Sequence, residues 1–321
     1  MRQLLFFVLL LLLPLPFSVA AFELENPECI APAKPKGGHD IMCRLLAASL
    51  ADALLIDTSI HFMPGGIGAL AYNHAINVVG QKPNTVVAAS TGTVLNLALG
   101  KFGRYTVADV RWLGAIAADY GVIAVRRDAP WQTLSELLKA LKTNREGTIF
   151  GASGSIGSQD WLKMALILDK AGIDPRIIRY ISFEGGGEAV HALMKGHIQV
   201  FPGDITEVAE HFDNGAVRVL AVFADKRLTG KYTSIPTAVE QGWNVVWPLW
   251  RGYYLPPGIS DDEYRWWINT LYRLEGTGVF AREREKLNLF PMFMVGEEFD
   301  RYVKEDVQKL RGIADKFGLE R

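Results

Sequence analysis

Cysteine is nearly absent: 321 residues contain two, Cys29 and Cys43. Two thiols without a neighbouring C-x-x-C pair or paired histidines make a poor zinc set, so no metal is expected. Charge of one sign is missing too. The chain has 34 Lys and Arg against 35 Asp and Glu, a net charge of −1. A nucleic-acid binder usually shows a basic excess, so no nucleic-acid partner is expected. There is no tandem repeat, low-complexity tract or long linker. The six histidines show no H-E-x-x-H spacing, and no G-x-x-x-x-G-K-[ST] loop occurs. The stretch "GASGSIG" at 151–157 fails as a nucleophile elbow, because neither serine has glycine at both −2 and +2. It fails as G-x-G-x-x-G as well. With no nameable nucleophile and base, no enzyme is expected and no cofactor is implied.

One apolar run stands out at the N-terminus. Arg2 precedes Leu4 to Phe17, followed by "SVAA" at Ser18 to Ala21. That order is a secretory signal, with cleavage expected after Ala20 or Ala21, so residues 1–21 read as a signal peptide. An uncleaved anchor is the other reading; the run is short for a span, and Pro14 and Pro16 interrupt it. An exported chain meets an oxidising compartment. A Cys29–Cys43 disulfide is then expected, tying a first strand to a first helix. It would close a loop of about 15 residues, worth on the order of 3 kcal/mol in the chain-entropy model. Two buried free thiols are the alternative.

The remaining chain alternates strands and helices. "VIAVRR" at 122–127 reads as a strand, and 133–142 as a helix with Thr133 and Glu136 as a capping box. Further strands follow at 148–152, 177–183 and 217–224, with helices between them. Ser260 and Glu263 cap a late helix. This pattern predicts βαβ units, an α/β fold and mainly parallel sheets.

Five strand-to-helix junctions are small and glycine-rich: "KPKGGHD" (34–40), "MPGGIGA" (63–69), "ASTGTVLN" (89–96), "GASGSIGSQD" (151–160) and "FEGGGEAV" (183–190). In an open parallel sheet such loops lie at the carboxyl ends of strands, where ligands bind. Each one alone reads as a turn and a helix cap. Five together predict a cage of N–H and O–H donors around a carboxylate or phosphate, since helix N-termini favour anions.

The order "IAPAKPKGGHD", "MPGGIGALAYN", "GTVLNLALGKFGRY", "DYGVIAVRRDAPW", "GASGSIGSQDW", "YISFEGGGEAVHALMKGHIQV", "RVLAVFADKR", "IPTAVEQG" and "WPLWRGYYLPP" resembles the periplasmic receptors of tripartite tricarboxylate transporters, also called Bug proteins. The resemblance runs over essentially all of the chain after residue 21. It implies a two-lobed periplasmic-binding-protein fold, a Venus flytrap closing around its ligand, with two crossover strands. Lobe 1 would be 22–121 plus 224–321, and lobe 2 would be 122–223. It also implies a citrate-like anion as ligand, an inner-membrane permease with a large and a small subunit as partner, a periplasmic location and a monomeric state. Carried onto this sequence, the ligand site would comprise Lys36, Gly37, Gly38, His39 and Asp40. It would add Ser90, Thr91 and Gly92, then Ser155, Ser158 and Gln159, then Glu184, Gly185, Gly186 and Gly187, and Asp204.

Two departures from the family pattern bear on the ligand. Lys36 stands where a first glycine is usual, and His39 where a small hydroxyl residue is usual. Arg251, in "WPLWRGYY", replaces a residue that is often neutral. It is expected either to hold a further ligand carboxylate bidentately or to pair with an acidic neighbour. Trp247, Trp250, Tyr253 and Tyr254 read mainly as core. Two other function classes stay open: a receptor for another organic anion (dicarboxylate, aromatic acid or amino acid), and a secreted hydrolase using Ser153 or Ser155 with Asp204 and a histidine.

Overall fold

A computed structural model describes residues 26–80, 82 and 84–319. The expected signal peptide therefore lies outside the described residues. The strands are β1 (Glu28–Ala31), β2 (Ser59–Phe62), β3 (Thr85–Ser90), β4 (Arg111–Tyr120), β5 (Val122–Arg126), β6 (Ile149–Ser153), β7 (Arg179–Phe183), β8 (Val200–Phe201), β9 (Val217–Val222), β10 (Pro248–Leu255) and β11 (Met294–Val295). The helices are α1 (Gly38–Leu54), α2 (Ala69–His74), α3 (Thr91–Ala98), α4 (Leu134–Thr143), α5 (Gln159–Lys170), α6 (Gly186–Met194), α7 (Ile205–Asp213), α8 (Asp261–Glu275), α9 (Gly278–Lys286) and α10 (Glu297–Lys316).

Two sheets organise them. One has the order β11-β4-β10-β3-β1-β2, the other β7-β6-β8-β5-β9. This is the two-lobed α/β arrangement expected from the sequence. The division of the chain at Val122 and Phe223 is a proposal, and the sheet membership of β4 and β5 supports it. The expectation of mainly parallel sheets needs correction. Only the strands of the βα units are parallel: β1 with β2 and β3, and β6 with β7 and β8. β10 runs against both β3 and β4, and β5 against both β8 and β9. The reason is topological. A strand that follows a passage between lobes enters its sheet from the opposite direction to the strands built by local βαβ units.

Burial follows sequence type. All six residues of β3, "TVVAAS", are buried, as a near-continuous apolar run at the middle of a sheet requires. In α4, Leu134, Leu137, Leu138 and Leu141 form the one buried stripe, and the Thr133 side chain accepts from the Glu136 amide. Cys29 at β1 and Cys43 in α1 form a disulfide with Cα atoms 5.5 Å apart. It anchors the start of α1 to the sheet. Trp250, Tyr253 and Tyr254 are buried core residues, and Trp112 packs edge-on to Trp250 at 5.9 Å.

The passage between sheets is narrow. Gly121 alone separates β4 from β5. Its carbonyl accepts from Phe223 N at 2.8 Å, and Phe223 O accepts from Trp247 N at 2.8 Å. Two chain crossings and the approach to β10 are thus laced together by backbone bonds. A Cβ on Gly121 would come within 2.5 Å of the buried Lys163 side chain, so this crossing point needs glycine for space.

Candidate functional site

A cavity of about 340 Å³ lies between the two sheets. Five helices begin at its wall. Gly38 opens α1, Ser90 caps α3, Gln159 opens α5, Gly185 and Gly186 start α6, and Asp204 caps α7. Three of these N-termini are closed by their own side chains. Ser90 and Thr93 form a capping box on α3, the Ser158 hydroxyl accepts from Trp161 N on α5, and Asp204 with Glu207 forms a capping box on α7. The other two are different. α1 and α6 have glycine caps, Gly37 and Gly185, and neither receives a side-chain hydrogen bond. One faces the cavity from each lobe. An uncapped helix start presents unpaired N–H groups and partial positive charge, which is a setting for a carboxylate.

Behind these loops runs a buried chain of alternating charge. Asp160 meets Lys163 at 2.8 Å, Lys163 meets Asp204, Asp204 meets Arg251 at 3.0 Å, and Arg251 meets Asp119. None of these five side chains is more than 4% exposed. Arg251 Nε also donates to Asp119 at 3.0 Å, and the Thr206 hydroxyl donates to the same carboxylate at 2.6 Å. Lys163 Nζ donates to Gly203 O at 2.8 Å. The chain joins β4 and β10 of one lobe to α5 and α7 of the other.

Its electrostatics are not those of a positive pocket. Burial pushes Asp119 and Asp160 upward against the pull of Arg251 and Lys163. Burial opposes protonated Lys163, but Asp160 and Asp204 outweigh it and keep the ammonium charged. Glu207 is pushed well above the ordinary carboxylate range by burial, then by Asp204 and Asp160. It keeps its proton readily, and it lies against the first turn of α6: a Cβ on Gly186 would overlap Glu207 Oε1. His39 falls from 6.5 to about 4, through burial first and then the Arg251 charge.

Of the residues predicted from sequence, Gly37, Gly38, His39, Ser90, Ser155, Gln159, Glu184, Gly185, Gly186, Asp204 and Arg251 line the cavity. Lys36, Asp40, Thr91, Gly92, Ser158 and Gly187 do not. Asp40 is buried and braces its loop, accepting from Lys36 N at 2.6 Å and pairing with Arg44 at 2.8 Å. Lys36 and Gly187 belong to an outer pocket on the other side of that loop. Thr91 accepts from Trp250 N at 3.2 Å, and Ser158 donates to Ser153 O at 3.0 Å. A Cβ on Gly92 would come within 2.8 Å of Gln159 Oε1, so glycine here admits the opposite lobe. Arg251 is paired with Asp119 and Asp204 and also lines the cavity.

Sequence reading missed Glu207, Asp160, Asp119 and Lys163. Asp160–Lys163 and Asp204–Glu207 carry an i, i+3 spacing that signals a local contact. Nothing local joins Asp119 to Arg251, 132 residues away. For the hydrolase alternative, Asp204 would have to orient a histidine. Its carboxylate instead holds Lys163 and Arg251.

The model of the tripartite tricarboxylate transporter family receptor matches residues 76–319. The chain belongs to this family. Its members and their structural neighbours are solute-binding receptors, not enzymes, and the family places the protein in the periplasm. Among solved structures, a TctC solute-binding protein from Polaromonas is 25% identical, covering 91% of this chain and 98% of its own, with a TM-score of 0.67. MatC from Rhodopseudomonas palustris, solved with bound malate, is 19% identical, with coverage of 91% and 99% and a TM-score of 0.78. A second R. palustris protein, solved with adipate, is 20% identical, with coverage of 91% and 97% and a TM-score of 0.82. A curated Cupriavidus necator relative is 24% identical over 213 residues, and the match spans 63% of that protein's length. At these identities the malate and adipate structures establish the receptor's fold.

Proposed function

We propose that this receptor captures a small organic acid between its two lobes and hands it to an inner-membrane permease with one large and one small subunit. A signal peptide, residues 1–21, would direct it to the periplasm. The observation that carries this reading is the pair of uncapped helix N-termini, α1 and α6, facing one cavity from opposite lobes. Together they offer peptide N–H groups to a carboxylate without any cofactor.

The buried ion-pair chain supports a reading of the ligand's charge. A tricarboxylate such as citrate is the ligand that the family resemblance implies, with Arg251 as an extra anchor. Arg251 is already neutralised by Asp119 and Asp204, and Lys163 by Asp160 and Asp204. Among the described residues lining the cavity, the one further cation is the exposed Lys34, itself paired with Glu188 at 3.0 Å across the cleft. That arrangement suits a dicarboxylate better than a triply charged acid. Malate and adipate in related folds are of that class.

A thermal-shift screen of the chain without residues 1–21 tests the reading. Malate, succinate, adipate, citrate and acetate would be compared. At a hundred times Kd, a true ligand stabilises by about 2.7 kcal/mol. A dicarboxylate should raise Tm by several degrees and be recovered unchanged. No shift with any di- or tricarboxylate would overturn the receptor reading.

A further inference from the structure

Glu207, in the first turn of α7, lines the cavity and is partly exposed. Its two carboxyl oxygens are not equivalent. Oε2 accepts from Asp204 N at 3.0 Å, closing the capping box of α7. Oε1 has no hydrogen-bond partner among the described residues and is not sealed from solvent. It lies over the uncapped start of α6, where a Cβ on Gly186 would overlap it. That helix start is one of the two places where the receptor reading seats a ligand carboxylate.

The surroundings leave no spare positive charge for an ionised Glu207. Asp204 stands on its own helix, α5 brings Asp160 and Lys163, β10 brings Arg251, and β4 brings Asp119. Those three aspartates already outnumber the two cations. Two further elements pack on α7. α6 carries Glu188, held by Lys34, and the exposed His191. β9 carries Arg218, which donates to the carbonyls of Arg127, Ala129 and Trp131. Burial first, and then Asp204, favour the uncharged acid. Two carboxylates in contact repel, and such a pair holds a proton between them.

We infer that Glu207 is a ligand-binding residue that acts as a neutral acid: its Oε1–H donates to a ligand carboxylate oxygen seated on the first turn of α6. This inference rests on the receptor reading above. Oε2 already accepts an amide N–H, so the acid's proton belongs on Oε1. The anion therefore shares its site with one proton. Where Glu207 has ionised in the empty receptor, that proton comes from solvent on binding.

Isothermal titration with malate and succinate, from pH 6.5 to 9, would be run on wild type, Glu207→Gln and Glu207→Ala, with circular dichroism confirming that each variant is folded. Glu207→Gln keeps an acceptor for Asp204 N and a donor that does not titrate. At pH 6.5 it should bind within about threefold of wild type, and its affinity should stay within about twofold across the range. Glu207→Ala should bind about tenfold or more weakly at pH 6.5, the loss of one hydrogen bond to a charged group. Wild type should weaken relative to Glu207→Gln as pH rises, with proton uptake, read from buffers of different ionisation enthalpy, growing toward one per ligand. Wild type that tracks Glu207→Gln through pH 9 while Glu207→Ala stays weak shows the same donor with its proton held throughout. Three results overturn the inference and leave the receptor reading intact: Glu207→Ala as tight as wild type, Glu207→Gln as weak as Glu207→Ala, or wild type strengthening relative to Glu207→Gln as pH rises. Failure of malate, succinate, adipate and citrate to bind wild type anywhere in the range overturns both.

Discussion

His39 and Glu207 sit at the same cavity and titrate in opposite senses. His39 binds its proton more weakly in the folded protein than in the unfolded chain, about 4 against 6.5. Stability from this residue is present above pH 6.5 and is lost as pH falls toward 4. The loss is on the order of 3 kcal/mol at 1.36 kcal/mol per unit. Melting curves from pH 7 to 4 should show wild type losing more stability than His39→Asn. Parallel curves would mean the ring is solvated. Glu207 holds its proton more tightly when folded than when unfolded. Its ionisation therefore costs stability as pH rises above the ordinary carboxylate range. Between about pH 5 and 8, Glu207→Gln should gain Tm relative to wild type, and the gap should widen with pH. A gap independent of pH would show that burial does not hold the proton on Glu207. Neither shift was readable in sequence. His39 stood out only as an odd residue in a glycine loop, and Glu207 was not singled out at all. Their behaviour comes first from burial and then from Arg251, Asp160 and Asp204, which the fold brings in from distant segments.

Elements are where local sequence spoke most clearly. The Ser260–Glu263 capping box and the Thr133 cap occur where residue types predicted them, because a cap is decided within four residues. The direction of β5 and β10 was not readable, since strand orientation is set by the route between lobes and not by side-chain alternation. β10 also carries a spatial constraint invisible in sequence. A Cβ on Gly252 would overlap the Gly114 carbonyl of β4, a backbone atom that cannot move aside. Gly252→Ala should therefore destabilise by more than about 3 kcal/mol or prevent folding, as judged by urea denaturation. A loss below 1 kcal/mol would mean that the β4–β10 bulge relaxes easily. The Cys29–Cys43 bridge is milder in effect. Replacing both cysteines with serine should cost about 3 kcal/mol while leaving ligand binding measurable. An unchanged denaturation midpoint would assign the bridge no part in fastening α1 to β1.

At the scale of the molecule, the two-lobed fold was legible through the order of motifs, and the cavity through its glycine junctions. The charge of that cavity was not legible. Lys36 added a charge to the expected ligand loop and Arg251 stood open between a ligand carboxylate and an acidic neighbour, but Lys36 lines an outer pocket and Arg251 is one link in a chain of three carboxylates and two cations. That chain spans both lobes, as do the Lys34–Glu188 pair, the Lys316–Asp169 pair and the bond from Lys101 to Gly157 O. On the proposed reading, ligand capture acts on groups from both halves at once. Amide hydrogen exchange, with and without the tightest acid from the thermal-shift screen, tests this directly. The two uncapped helix starts, around 37–40 and 185–188, should gain protection together, in the same range of ligand concentration. Protection confined to one lobe, or appearing away from both helix starts, would contradict a ligand held between them.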